Sequence, residues 1–162
     1  MQRLQWTALT ISLSTHLVDG CEFARESATR SPLTKHEMYN EQKRLKERER
    51  FFNVCALKRV AAEAVSRSFE DIVHFDKLGE GAANRAFIIR MRDGFSLVAR
   101  IPYEVTAPRR LAVASEAATM TFLHSRGIPV PVIYGYSASP ENPTGVEYIL
   151  MEHAPGRSLG SV

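Results

Sequence analysis

A chain of 162 residues has room for one domain and an extension, and its 44% hydrophobic and 24% charged content is ordinary for a soluble globular protein. The net charge of +3 comes from basic residues that are scattered rather than striped, which argues against a nucleic-acid footprint. Cys21 and Cys55 are too few for a disulfide framework, and neither they nor the dispersed His16, His36, His74, His124 and His153 have zinc-ligand spacing, so a reduced intracellular setting fits.

Residues 1–18 (MQRLQWTALTISLSTHLV) hold Arg3, no acid, and many Ser and Thr, as a transit peptide does, although only one Arg precedes residue 25. A secretory signal with its apolar region at 6–18 competes, diluted by Thr7, Thr10, Ser12, Ser14, Thr15 and His16, and an unstructured N-terminus is the third alternative. No run approaches the length of a membrane-spanning helix. Residues 19–35 are polar and read as linker, so 1–35 is expected to be a flexible or targeting extension. Residues 36–50 (HEMYNEQKRLKERER) mix both charges on good helix formers and read as a solvated helix. Glu37, Glu41, Glu47 and Glu49 would repel the phosphates of a nucleic acid. Over 52–67, Leu57, Val60, Ala61 and Ala64 share one face behind a candidate N-cap, Asn53, which predicts a short amphipathic helix packed on the lobe beginning at Phe75. Residues 36–70 are thus a helical extension and 71–162 the main lobe.

Residues 75–101 (FDKLGEGAANRAFIIRMRDGFSLVARI) read as a strand, a Gly79-Glu80-Gly81 turn, a second strand, an Asp93-Gly94 hairpin and a third strand. Asp-Gly suits a type I′ turn, whose central residues both need φ > 0. The two glycines let backbone N–H groups approach a ligand with no Cβ in the way, a concavity that suits phosphate. Pro102 stops regular structure, and 104–110 is a loop. A helix is predicted over 111–126, with Leu111, Ala114, Ala118, Phe122 and Leu123 as its apolar residues, Arg126 in its last turn and Gly127 at C′. Strands over 130–136 and 146–151 flank a turn-rich 137–145, and a small-residue connector comes after them. The expected fold is α+β: a five-stranded, mostly antiparallel sheet with one packed helix, preceded by helices.

The segments KLGEGAANRAFIIRMRDGFSLVARIPY, SEAATMTFLHSRGIPVPVIYGYS and ENPTGVEYILMEHAPG resemble the N-terminal lobe of fungal aminoglycoside-phosphotransferase-like (choline-kinase-like) proteins, a mitochondrial group among them. The resemblance covers about 40–162 and implies a protein-kinase-like N-lobe that binds ATP. It implies that Gly79, Gly81 and Asn84 form the phosphate loop, Asn84 standing where a protein kinase has its third glycine. Arg100 takes the third-strand place of the phosphate-binding Lys, and a guanidinium can serve there because it stays charged and binds phosphate oxygens bidentately. Glu116, in the helix, takes the place of that cation's acidic partner. Met151 would back the adenine pocket, with the Glu152 C=O and the Ala154 N–H facing the purine edge. From the residues alone plainer alternatives stay open: a β-turn that tolerates Asn84, an edge-strand Arg100, an exposed Glu116, and an ordinary strand exit at 151–154.

The same resemblance puts the catalytic Asp and Asn, and the Asp that holds Mg²⁺, on a C-terminal lobe. Nothing after Ala154 offers them, and Asp19, Asp71, Asp76 and Asp93 lie before the sheet or in its first hairpins. The expectation is therefore an ATP-binding lobe of a larger phosphotransferase-like protein, truncated and not catalytic alone, with its cleft face meant for a C-lobe or a partner. A non-catalytic kinase-like interaction module in mitochondria is the alternative. A mitochondrial location is expected, with the cytoplasm as the other choice; neither nucleic acid nor a membrane span is.

Overall fold

A computed structural model describes residues 50–106 and 108–154 and the backbone of 14–18 and 21–26. Of the helix expected over 36–50, residues 36–49 lie outside the described residues, as does the connector past Ala154, while Arg50 itself is the first residue of a strand. Among the described residues, eight strands and two helices run in the order β1 (Ser14–Val18), β2 (Cys21–Glu26), β3 (Arg50–Asn53), α1 (Val54–Ala64), a 3₁₀ turn (Phe69–Asp71), β4 (Ile72–Glu80), β5 (Asn84–Met91), β6 (Ser96–Pro102), α2 (Arg109–Ser125), β7 (Ile133–Ser137) and β8 (Tyr148–Glu152).

The lobe is an α+β unit built on a five-stranded antiparallel sheet of order β4-β5-β6-β8-β7. Period-two alternation divides its residues between two cores. Phe87, Ile89 and Met91 of β5, Leu97, Ala99 and Ile101 of β6 and Leu150 of β8 bury one face against Phe52, Leu57 and Ala61 from β3 and α1. On the other face Val98, Ile149 and Met151 meet Val113 of α2. The sheet is thus covered on one side by α1 and on the other by α2.

Asn53 caps α1 as expected, its Oδ1 accepting the Ala56 N–H at 2.9 Å. An N-cap residue has extended backbone, so Phe52 belongs to β3, not to the helix that the sequence suggests from residue 52. β3 joins β1 and β2 in a second, three-stranded antiparallel sheet. Strands β1 and β2 therefore stand inside the stretch read as an extension, 1–35. The short inward alternation of Arg50 and Phe52 in β3 is masked in sequence by the charged run before it.

Two expectations are corrected. The Asp93-Gly94 hairpin is not type I′: Gly94 has φ +86°, but the single described non-Gly residue with positive φ is Ser66. Instead Gly94 N–H donates to Met91 O at 3.0 Å, Met91 N–H donates to Phe95 O at 2.8 Å, and Asp93 Oδ1 accepts the Phe95 N–H at 3.0 Å. This is the three-residue loop with a left-handed glycine bulge, and Asp93 serves it as a side-chain acceptor. In α2 the inward residues are Val113 and Ala117, with Met120 packed beside them, while Leu111 and Phe122 are 66% and 56% exposed. The narrow Val113–Ala117–Met120 stripe fits the small second core; of the apolar residues named from the sequence, Leu111, Ala118 and Phe122 face outwards, while Ala114 and Leu123 are half-buried. The helix ends as expected, with Gly127 at φ +75° and Ile128 N–H donating to Leu123 O at 3.1 Å. Among the described residues no helix is long and apolar enough to cross a membrane.

Candidate functional site

The glycine turn is the end of the β4–β5 hairpin, whose last register pair is Glu80 with Arg85. Gly81 N–H closes it by donating to Asn84 O at 2.8 Å. Neither Gly79 nor Gly81 takes a positive φ; a Cβ on Gly79 would meet nothing within 4 Å, and one on Gly81 would meet Asn84 O at an ordinary 3.5 Å. The fold itself therefore does not require glycine at these two places. What glycine supplies here is open space above the backbone.

Asn84 opens β5 on the α2 side of the sheet, and two register pairs further Ala86 lies opposite Arg100 of β6. With the Asn84 amide oxygen turned to the guanidinium, the orientation its neighbours satisfy, it accepts from Arg100 Nε at 3.2 Å and Nη2 at 2.6 Å, and its NH₂ donates to Ala83 O at 3.3 Å. Arg100 Nη1 in turn donates to Glu116 Oε1, forming an ion pair between β6 and α2. Asn84, Arg100 and Glu116 thus form one continuous chain across the sheet face beside the glycine turn. Both charged members are about one-third exposed, at 30% and 33% of the side chain, so water and a ligand can reach them.

Met151 is buried in the second core, in register with Val98. The N–H and side chain of Glu152 are engaged with Val132: the N–H donates to Val132 O at 2.8 Å and Oε2 accepts the Val132 N–H at 3.1 Å, which ties the end of β8 to the segment leading into β7. Ala154 is exposed, the last residue described. The structure therefore joins Asn84, Arg100 and Glu116 by side-chain contacts, sets Gly79 and Gly81 at the adjoining turn, and puts Met151 behind the same face.

Two charge clusters escaped the sequence reading. Glu80 Oε1 accepts from Arg85 Nε at 2.9 Å and Nη2 at 2.6 Å, with Lys77 Nζ at 3.0 Å. Burial pushes the Glu80 carboxyl up, but Lys77 and Arg85 outweigh it and hold the group below the usual carboxylate range. The signal was available as Lys77, Glu80 and Arg85 bracketing the turn. Behind the sheet, Glu147 is buried between Arg50 Nη2 at 2.5 Å and Arg109 Nε at 3.1 Å, and Arg50 Nη1 also reaches Glu104 at 3.3 Å. No sequence spacing announces that pairing, since Arg50 and Glu147 lie 97 residues apart. Among the described residues no three His, Cys, Asp or Glu converge on a metal position.

Comparison with known proteins agrees with this architecture. The profile of the phosphotransferase enzyme family matches residues 74–161. The chain is 48% identical over 86 residues to a subtelomeric hrmA-associated cluster protein of Aspergillus fumigatus, covering 52% of this chain and 17% of that protein. It is 38% identical over 83 residues to the altered inheritance of mitochondria protein 9, mitochondrial, of Debaryomyces hansenii (49% and 13% covered). The protein of the same name from Yarrowia lipolytica is 32% identical over 92 residues (53% and 16% covered). The chain spans 17% or less of the length of these relatives. No solved structure matches it.

Proposed function

Because the chain belongs to the phosphotransferase enzyme family, we propose that residues 71–162 are the ATP-binding lobe of a small-molecule-kinase-like protein. The site consists of Gly79, Gly81, Asn84, Arg100, Glu116, Met151, Glu152 and Ala154. One observation carries this reading: Asn84, Arg100 and Glu116, far apart in sequence, are joined in a single hydrogen-bonded chain beside a turn whose glycines the fold does not itself need.

Each part then has a task. Gly79 and Gly81 let the turn backbone lie against the phosphate chain. Arg100 supplies positive charge there; Asn84 and Glu116 engage some of its N–H donors and fix the guanidinium plane, leaving the outer N–H groups for phosphate oxygens. Met151 closes the apolar floor on which adenine rests, and the backbone of Glu152 and Ala154 borders its edge. In this reading the lobe of residues 71–162 holds the nucleotide, and none of its residues is assigned to Mg²⁺ or to the acceptor hydroxyl. The names of the Debaryomyces hansenii and Yarrowia lipolytica relatives support a mitochondrial location.

The test is binding of Mg-ATP to the 162-residue chain, followed by amide chemical shifts. Perturbations centred on 79–84 and 100, lost in Arg100→Ala, are expected. No perturbation at millimolar ATP sinks the reading and favours the second one, a kinase-like module in mitochondria that keeps the fold to bind a partner; the exposed Leu111 and Phe122 of α2 give that reading a surface.

A further inference from the structure

The alternation that points Asn84 towards α2 points the next residue, Arg85, to the opposite face of the sheet. There its side chain is 2% exposed, its guanidinium carbon lies 5.7 Å from the centre of the Tyr103 ring, and Nε and Nη2 both reach Glu80 Oε1. Glu80 is the residue between the two glycines. The same turn is held a second time through Ala83 O, which accepts the Tyr103 N–H at 2.9 Å and the Thr106 hydroxyl at 2.8 Å. A buried guanidinium needs counter-charge, and Glu80 supplies it to Arg85 from inside the glycine turn. Two glycines make the turn entropically loose, and the ion pair behind it removes that looseness before a ligand arrives.

We propose that Glu80 and Arg85 are positioning residues that hold the glycine turn in its phosphate-accepting pose, and that they set affinity for a polyphosphate chain without affecting the nucleoside. The inference rests on the nucleotide reading. A turn that must be ordered during binding loses part of the contact energy to that ordering, whereas a turn ordered beforehand does not. The nucleoside lies against β6, β8 and the connector, outside the reach of this pair.

The experiment compares the 162-residue chain with Glu80→Gln and Arg85→Lys for binding of ATP, inorganic tripolyphosphate and adenosine, and measures amide hydrogen exchange over 79–84 and 148–152. The expected result is ATP and tripolyphosphate binding weakened by about tenfold, roughly one 1.4 kcal/mol step, with adenosine unchanged. Exchange should speed up over 79–84 alone. Variants that keep wild-type ATP affinity, or that lose ATP and adenosine in equal measure, overturn the proposal and leave the nucleotide reading standing. A wild-type chain that binds none of the three overturns both. Should Arg85→Lys fail to fold, Glu80→Gln decides the matter, because the Glu80 side chain lies nearer the surface, at 14% exposure, and its amide keeps the shape of the carboxylate.

Discussion

Arg100 Nη1 donates to Glu116 Oε1, so β6 and α2 are joined by a side-chain ion pair on the face that also carries Asn84. A pair one-third exposed contributes little to stability, on the order of 0–1 kcal/mol. Glu116→Gln should therefore leave the melting temperature within about 3 °C of the parent. It should nonetheless weaken Mg-ATP binding, because the guanidinium loses one of its two orienting partners. A thermal scan with and without nucleotide checks both halves; a large drop in the ligand-free melting temperature would make the pair structural.

Glycines in this chain should separate into two kinds. Gly94→Ala forces a Cβ into φ +86° and is expected to cost about 1–2 kcal/mol in urea denaturation. Gly79→Ala meets neither strain nor contact, so its stability should stay within about 0.5 kcal/mol of the parent. ATP affinity should fall in Gly79→Ala and stay unchanged in Gly94→Ala. The reverse pattern would remove the phosphate role of the first turn.

Truncations in the two helices should differ as their burial does. Leu57 of α1 is fully buried, and Leu57→Ala is expected to cost about 2–5 kcal/mol. Leu111 of α2 is 66% exposed, and Leu111→Ala should change stability by less than about 0.5 kcal/mol. Chemical denaturation of both variants tests which face of α2 is turned inwards.

Acid should weaken the fold partly through Glu147. Burial pushes its carboxyl up, but a backbone hydrogen bond, Arg50 and Arg109 outweigh that and hold it below the usual range. A depressed folded value gives stability that is complete above the unfolded value of about 4.3 and is lost as pH falls below it through the folded value. Glu147→Gln should flatten this acid limb. At neutral pH it should cost up to about 3–5 kcal/mol, because the buried Arg50 loses its nearer and better-buried carboxylate and keeps Glu104 at 3.3 Å. An unchanged limb in a denaturation series from about pH 6 to 3 would place the acid sensitivity in other carboxylates.

Most of the lobe was legible because its signals are local. Alternation in 84–91 and 96–102, the glycines at 94 and 127, and the Asn53 cap each announce a strand, a turn or a helix start within a few residues. The Arg100–Glu116 contact was expected from family likeness, since spacing alone cannot bring a strand residue and a helix residue together. The rotation of α2 was not legible: Leu111, Ala118 and Phe122 form as good an apolar stripe as Val113, Ala117 and Met120, and only the small second core chooses between them. Likewise Arg50 reads as the last charge of a solvated run until β3 carries it under the sheet to Glu147.

That last contact bears on where this domain begins. The family profile starts at residue 74, yet Phe52, Leu57 and Ala61 fill one side of the sheet's core, Asn53 N–H donates to Thr144 O at 2.9 Å, and Arg50 pairs with Glu147. A fragment cut at the homology boundary would lose a whole wall of its interior and strip from Glu147 one of its two arginine partners. For anyone expressing or transplanting this lobe, the unit that folds starts no later than Arg50, some twenty residues before the unit that sequence comparison recognises.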